Sequence, residues 1–257
     1  MRAVIQAGLL RMYRLVNATG LLSTGPGRWA YRSAYVAYKR FLEAGHLEPL
    51  RSIIRPGTSV VDVGANLGFF TLQFAAWVRD GGRVIAIEPE VINYERLCRA
   101  VAGAGFSHLV DTVQAAAIER SGQVGLIVNP HHPGDHRIGD GGALVPAVTI
   151  DELLAQSGSP RVSLIKIDVQ GAEGRVLAGA NATLRSVRPA LFIEICDEAL
   201  RGCHSSAERL LTDLYDRGYS AHRTTREGIE GPMTFAEVLG AQSMAGYADF
   251  LFLHGRT

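Results

Sequence analysis

Ser59-Val60-Val61-Asp62-Val63-Gly64-Ala65-Asn66-Leu67-Gly68-Phe69-Phe70-Thr71 is the stretch whose reading decides the fold. The apolar run Val60, Val61 and Val63 reads as a short buried strand, punctuated by Asp62 and broken at Gly64. The turn from Gly64 to Gly68 opens into Phe69 to Val78, whose apolar positions fit a buried helix. A strand, a glycine turn and a helix N-terminus form a cradle for a nucleotide-like ligand. Glycine lets the backbone approach closely, and the N–H groups of the first helical turn favour an acceptor or an anion.

The dinucleotide fingerprint wants three glycines, G-x-G-x-x-G, whereas this turn reads G-A-N-L-G with Asp62 two places before the first glycine. The pattern D-x-G-x-N-x-G resembles motif I of class I S-adenosylmethionine methyltransferases. Downstream, Arg83-Val-Ile-Ala-Ile-Glu88-Pro89 reads as a second short strand ending in a carboxylate. A carboxylate there can accept both ribose hydroxyls, in adenosylmethionine as in NAD. Glu88 therefore supports the fold without deciding the cofactor; motif I decides it.

The chain has 257 residues, is 47% hydrophobic and 20% charged, and carries a net charge of +1. That is the composition of a globular domain with a sizeable core, and nothing global points to nucleic acid. Lysine occurs only at Lys39 and Lys166. The three cysteines, Cys98, Cys196 and Cys203, are odd in number and lack C-x-x-C spacing, which speaks against a disulfide framework or zinc site and for a reducing cytoplasm. No apolar run approaches the ~20 residues of a membrane span, and no cleavage site follows the faintly signal-like Arg2 to Arg11.

Residues 1–55 are expected to form an N-terminal helical lid, since Ile5, Leu9, Met12, Tyr13 and Val16 recur at helical spacing. It is basic, and reads either as a solvated face, or as a wall of an acceptor site or a surface for an anionic substrate or membrane. Pro56-Gly57 marks the entry to the core, residues 56–257. There, strands at Ser59–Val63, Val84–Glu88, Val110–Ala117, Val124–Val128, Ala147–Ile150, Ser163–Val169 and Ala190–Ile195 alternate with helices, one opened by Asp151 and one over Glu173–Leu184. A polar loop, Asn129 to Gly142, shows no periodicity. The alternation predicts an α/β fold with a mostly parallel sheet and helices on both faces. A helix over Ala207–Arg217 and strands at Tyr219–Thr225 and Tyr247–His254 predict an antiparallel edge strand at the C-terminus, as in class I methyltransferases.

With Leu164-Ile-Lys-Ile-Asp168-Val-Gln-Gly-Ala-Glu173, together with VVDVGANLGFFTL, IAIEPE, Gly134-Asp-His-Arg137, TIDELL and RPALFIEI, residues 55 to 200 resemble the FkbM family of S-adenosylmethionine-dependent methyltransferases. The resemblance implies O-methylation of a hydroxyl on a natural product or sugar-containing small molecule. It also implies that the methionine end of S-adenosyl-L-methionine lies against Asp62, Gly64, Asn66 and Gly68, with Asp168 near it, the ribose on Glu88, and adenine by Pro89, Ala115 and Ala116.

Methyl transfer from a sulfonium needs in-line positioning and exclusion of water. An alcohol acceptor also needs a base, because it ionises only far above neutral pH. Asp168 and Glu194 stand at strand ends, where open α/β sheets line their ligand crevice. His136, in the polar loop beside Asp135, is the remaining candidate. Two carboxylates supply fewer oxygens than a hard cation wants, so a divalent metal is the less favoured reading. Lys166, inside a buried strand, requires partners, and an ionic cluster of Asp62, Lys166 and Glu194 would make Glu194 a brace where it is otherwise a base. The alternatives left open are N-methylation on the same scaffold, an NAD-dependent oxidoreductase, and a cofactor-binding subunit without activity. The acceptor's identity and the oligomeric state, a homodimer included, are not legible.

Overall fold

In the computed structural model, residues 47–129, 135–158 and 161–255 are described. The lid expected over residues 1–55 falls, up to residue 46, outside them. β1 (Ser59–Val63) runs through the Gly64 turn into α1 (Phe69–Trp77), followed by β2 (Val84–Ile87), α2 (Val91–Gly103) and β3 (Val110–Val113). The chain then leaves for β4 (Ala116–Ala117), β5 (Gly122–Ile127), β6 (Arg137–Ile138) and β7 (Ala143–Val148). It returns through α3 (Ile150–Gln156), β8 (Val162–Ile167), α4 (Glu173–Gly179), α5 (Asn181–Ser186) and β9 (Ala190–Ile195). The tail comprises α6 (Asp197–Gly202), α7 (Ala207–Asp216), β10 (Tyr219–Thr224), β11 (Ile229–Met233), α8 (Phe235–Ala245) and β12 (Ala248–His254).

Among the described residues, one eight-stranded sheet has the order β11–β10–β12–β9–β8–β1–β2–β3, and a smaller sheet the order β4–β7–β5–β6. The strands from β3 to β9 in the large sheet are parallel. β12 is antiparallel to β9, as the tail pattern predicts, but it lies inside the sheet with β10 and β11 beyond it. β11 and α8 lie between the two expected tail strands; Ile229-Glu-Gly-Pro-Met233 carries little apolar pattern, whereas α8 opens on a Thr234–Glu237 capping box.

Every residue of β1, β2 and β8 is buried, as befits parallel strands covered on both faces. Alternation divides them between two cores. Val61, Val63, Ile165, Ile167, Leu191 and Ile193 pack with α3, α4 and α7 through Leu154, Leu177 and Leu211. On the other face the register sets Asp62 beside Lys166 and Lys166 beside Phe192. Phe192 stacks there against Phe70, which meets Phe74 and, through it, Trp77. A polar row thus runs across an aromatic layer.

The predicted strand over Val110–Ala117 is two strands, because the chain changes sheets after Val113. The predicted helix over Glu173–Leu184 breaks at Ala180 into α4 and α5. α3 is opened by Thr149, whose hydroxyl accepts from Glu152 N at 3.1 Å. Asp151 instead turns to α5, accepting from Ala182 N at 2.8 Å, Thr183 N at 2.9 Å and the Thr183 hydroxyl at 2.6 Å. A carboxylate serving a helix start this way replaces the cap that α5 lacks from Ala180. Asp151→Ala is expected to lower unfolding free energy in urea by about 1–2 kcal/mol, leaving cofactor affinity unchanged.

Candidate active site

The turn after β1 has left-handed backbone at Gly64, Asn66 and Gly68, with φ of 74°, 50° and 87°. A Cβ built on Gly64 would sit 1.9 Å from the Asp168 carbonyl oxygen, so no side chain fits there. Gly68 precedes α1 and supplies no side-chain cap, which leaves the first-turn N–H face uncovered by a capping group. Glu88, buried past the end of β2, accepts from Asn66 N at 2.8 Å and from Glu90 N at 3.0 Å. Burial pushes its carboxyl up to about 7, against the pull of those two N–H groups. Pro89 is half-buried beside it, and Ala115 and Ala116 are buried where β3 gives way to β4. Glu88 N donates to Val113 O at 3.0 Å, tying these segments at the carboxyl ends of β2 and β3.

Lys166 crosses the floor of the site. Its ammonium donates to Gly64 O at 2.8 Å and Val63 O at 3.3 Å, lies 3.3 Å from Asp62 Oδ1 and 3.7 Å from Asp168 Oδ2, and stands 4.9 Å above the Phe70 ring. Asp62 is fully buried, and its second oxygen accepts from the Thr71 hydroxyl at 2.6 Å. The expected ion cluster is therefore present with one change of member. Asp168 takes the place assigned to Glu194, because the residue across from Lys166 on β9 is Phe192. Glu194 accepts instead from the Gln170 amide.

Asp168 follows β8, and its N–H donates to Val63 O at 3.2 Å. Gln170 Nε2 donates to Asp168 Oδ1 at 3.0 Å and to Glu194 Oε1 at 2.9 Å. Two acceptor-only carboxylates fix which end of the amide faces them. Beneath this turn, Glu173 accepts from Gly171 N at 3.1 Å, while its Oε2 is buried without a hydrogen-bond partner among the described residues. Burial pushes Glu173 up to about 7, and the Asp168 charge adds to it. The sequence assigns Gln170 and Glu173 no chemical role; the signal available is the Gln170-Gly171 pair two residues after a strand-end acid.

The polar loop reaches the same end of the sheet. Cys203 Sγ lies 4.0 Å from Ile138 O on β6 and 3.9 Å from Gln170 O. Arg137 pairs with Asp135 at 3.1 Å, and Asn129 Nδ2 donates to the other Asp135 oxygen at 2.9 Å. His136 Nδ1 accepts from Asn129 N at 3.1 Å. A backbone N–H only donates, so in the neutral ring the proton sits on Nε2. Among the described residues, no group of three or more His, Cys, Asp and Glu is placed to hold a metal ion, and no helix is long and apolar enough to cross a membrane.

Residues 62–221 match the Methyltransferase FkbM domain. The chain belongs to the FkbM methyltransferase family. Its cofactor is S-adenosylmethionine, which sets aside the NAD reading. Among solved structures, the FkbM methyltransferase of Methylobacillus flagellatus KT is similar at 18% identity and a TM-score of 0.50, over 78% of this chain and 44% of that one. The present chain thus spans less than half of that relative. The O-methyltransferase TomG of Streptomyces achromogenes, solved with S-adenosylmethionine, is similar at 15% identity and a TM-score of 0.44, over 83% of this chain and 80% of that one. A methyltransferase of Geobacter sulfurreducens, solved with S-adenosylhomocysteine, is similar at 16% identity and a TM-score of 0.41, over 68% of this chain and 64% of that one. No curated protein matches the chain.

Replacing Lys166 by methionine leaves Asp62 buried beside no cation and strips Asp168 of one. Breaking a buried pair in this way costs about 3–5 kcal/mol. Urea unfolding of Lys166→Met is expected to show a loss of that order. A variant within about 0.5 kcal/mol of the parent would mean that the lysine is not the brace of the site.

Proposed function

We propose that this FkbM protein transfers a methyl group from S-adenosylmethionine to a hydroxyl oxygen of a small-molecule acceptor, and that Asp168 takes the proton. The observation that supports this most is the packing of Asp168 against Gly64, which sets a strand-end carboxylate beside the turn that cradles the cofactor. The residues fit the cofactor. Gly64, Asn66 and Gly68 leave room for close approach of its methionine end, and Glu88 offers acceptor oxygens to the ribose. Pro89, Ala115 and Ala116 form the adenine side. Asp62, wholly enclosed, acts from behind through Lys166.

The cofactor supplies an electrophilic methyl on a sulfonium. The acceptor oxygen loses its proton as the new C–O bond forms, and an ionised carboxylate in reach accepts it. Asp168 has one oxygen held by Gln170 and the other facing Lys166, so it is oriented before the acceptor arrives. His136 Nδ1 is engaged by Asn129 N, which does not favour it for proton removal.

The test is mass spectrometry of methylated products from panels of alcohol and amine acceptors, with S-adenosylhomocysteine release as the rate. Hydroxylated acceptors are expected to react, and Asp168→Asn to lower kcat by about 10²–10⁴-fold. Methylation of amines alone would move the reading to N-methylation, and full turnover by Asp168→Asn would place the base elsewhere.

Glu88 adds a pH signature. Its carboxyl, near 7 in the free protein, accepts ribose hydroxyls best when ionised. At pH 6 only about a tenth is ionised, so the apparent dissociation constant of S-adenosylmethionine should be up to about tenfold weaker than at pH 8. Calorimetric titration is expected to show affinity rising through pH 7 and then levelling. Glu88→Gln should bind more weakly at every pH and show no slope.

A further inference from the structure

Asp168 and Glu194 extend from neighbouring parallel strands toward one amide. Carboxylates brought together repel, and one of them tends to take up a proton unless donors or cations hold both charges. The charged and titratable groups around them among the described residues include Lys166 on β8, Asp62 on β1 behind it, Glu173 on α4, Cys203 against the Gln170 carbonyl, and Asp249, the strand partner of Glu194 on β12. Lys166 is shared with Asp62 and with the carbonyls of Val63 and Gly64. Gln170 Nε2 donates to both Asp168 and Glu194.

Its backbone is committed to this. Gln170 has φ of 53° and Gly171 φ of 105°, and a Cβ on Gly171 would lie 2.3 Å from Ala199 O. A side-chain-bearing residue in the left-handed region is uncommon and persists where its surroundings over-determine it. Glu173 fastens the same turn from below through Gly171 N.

We infer that Gln170 is the positioning residue of the acceptor site: its amide holds Asp168 and Glu194 together as a pair of anions, so that Asp168 meets the acceptor ionised. The link to methyl transfer rests on Asp168 as the proton acceptor; the hold of the amide on the two carboxylates does not. Glu194 is then the second anchor of the amide, neither a brace for Lys166 nor a second base.

Carbon-13 NMR of protein labelled at its Asp and Glu carboxyls reads the pair directly and needs no acceptor. Asp168→Asn and Glu194→Gln assign the two resonances, whose midpoints belong to the coupled pair. Gln170→Gly accepts the left-handed backbone and removes the donor, and Gln170→Glu keeps the shape while exchanging the donor for a third carboxylate. With unfolding midpoints like the parent's, both variants are expected to show the pair titrating about one unit higher or more, a tenfold gain in proton affinity, with Gln170→Glu moving further. Midpoints within about 0.3 unit of the parent in both variants would overturn the role of Gln170. If they stay there while Asp168→Asn is inactive, the failure belongs to Gln170 alone. Shifted midpoints with a fully active Asp168→Asn would leave the amide's hold standing and remove Asp168 as the base.

Discussion

A single buried ammonium organises this site. Lys166 lies in the middle of a parallel sheet, where an unpaired charge would cost several kcal/mol in lost hydration. The cost is met by two carbonyls of the β1 turn, two carboxylates and an aromatic face. These partners come from different segments. Val63 and Gly64 form the start of the turn after β1, Asp62 lies within β1, and Asp168 closes β8. The brace therefore fixes the two turns relative to each other rather than stiffening one of them.

The central fold was legible because its signals are local and repeated. β1, the Gly64 turn and α1 follow from an apolar run, a glycine and a helical period, all within residues 59–78. The strand-end acids Glu88, Asp168 and Glu194 were found because an acid closing an apolar strand is conspicuous. What was not legible depends on register. The choice of Phe192 rather than Glu194 as the neighbour of Lys166 is a matter of one residue pair between β8 and β9, and nothing local specifies it. In the same way Asp151 looked like the cap of the helix that it begins, whereas it serves the start of α5, some thirty residues downstream. A side chain's partner is a tertiary fact even where its element is a local one.

His136 shows a different limit. A histidine beside an aspartate in a polar loop invites the reading of a base with its orienting acid. Asp135 is engaged instead by Asn129 and Arg137, and a backbone N–H donates to the ring nitrogen that would itself have had to donate to an orienting acid. Tautomer is set by what donates to the ring, and composition holds no trace of that.

The contact between Gly64 and the Asp168 carbonyl has a consequence for motion. With no side chain and no gap between them, the turn after β1 and the turn after β8 can be displaced only as one body. On the roles proposed above, the spacing between methyl donor and proton acceptor is therefore a property of the sheet. A substitution that shifts one of these turns is therefore felt at the other.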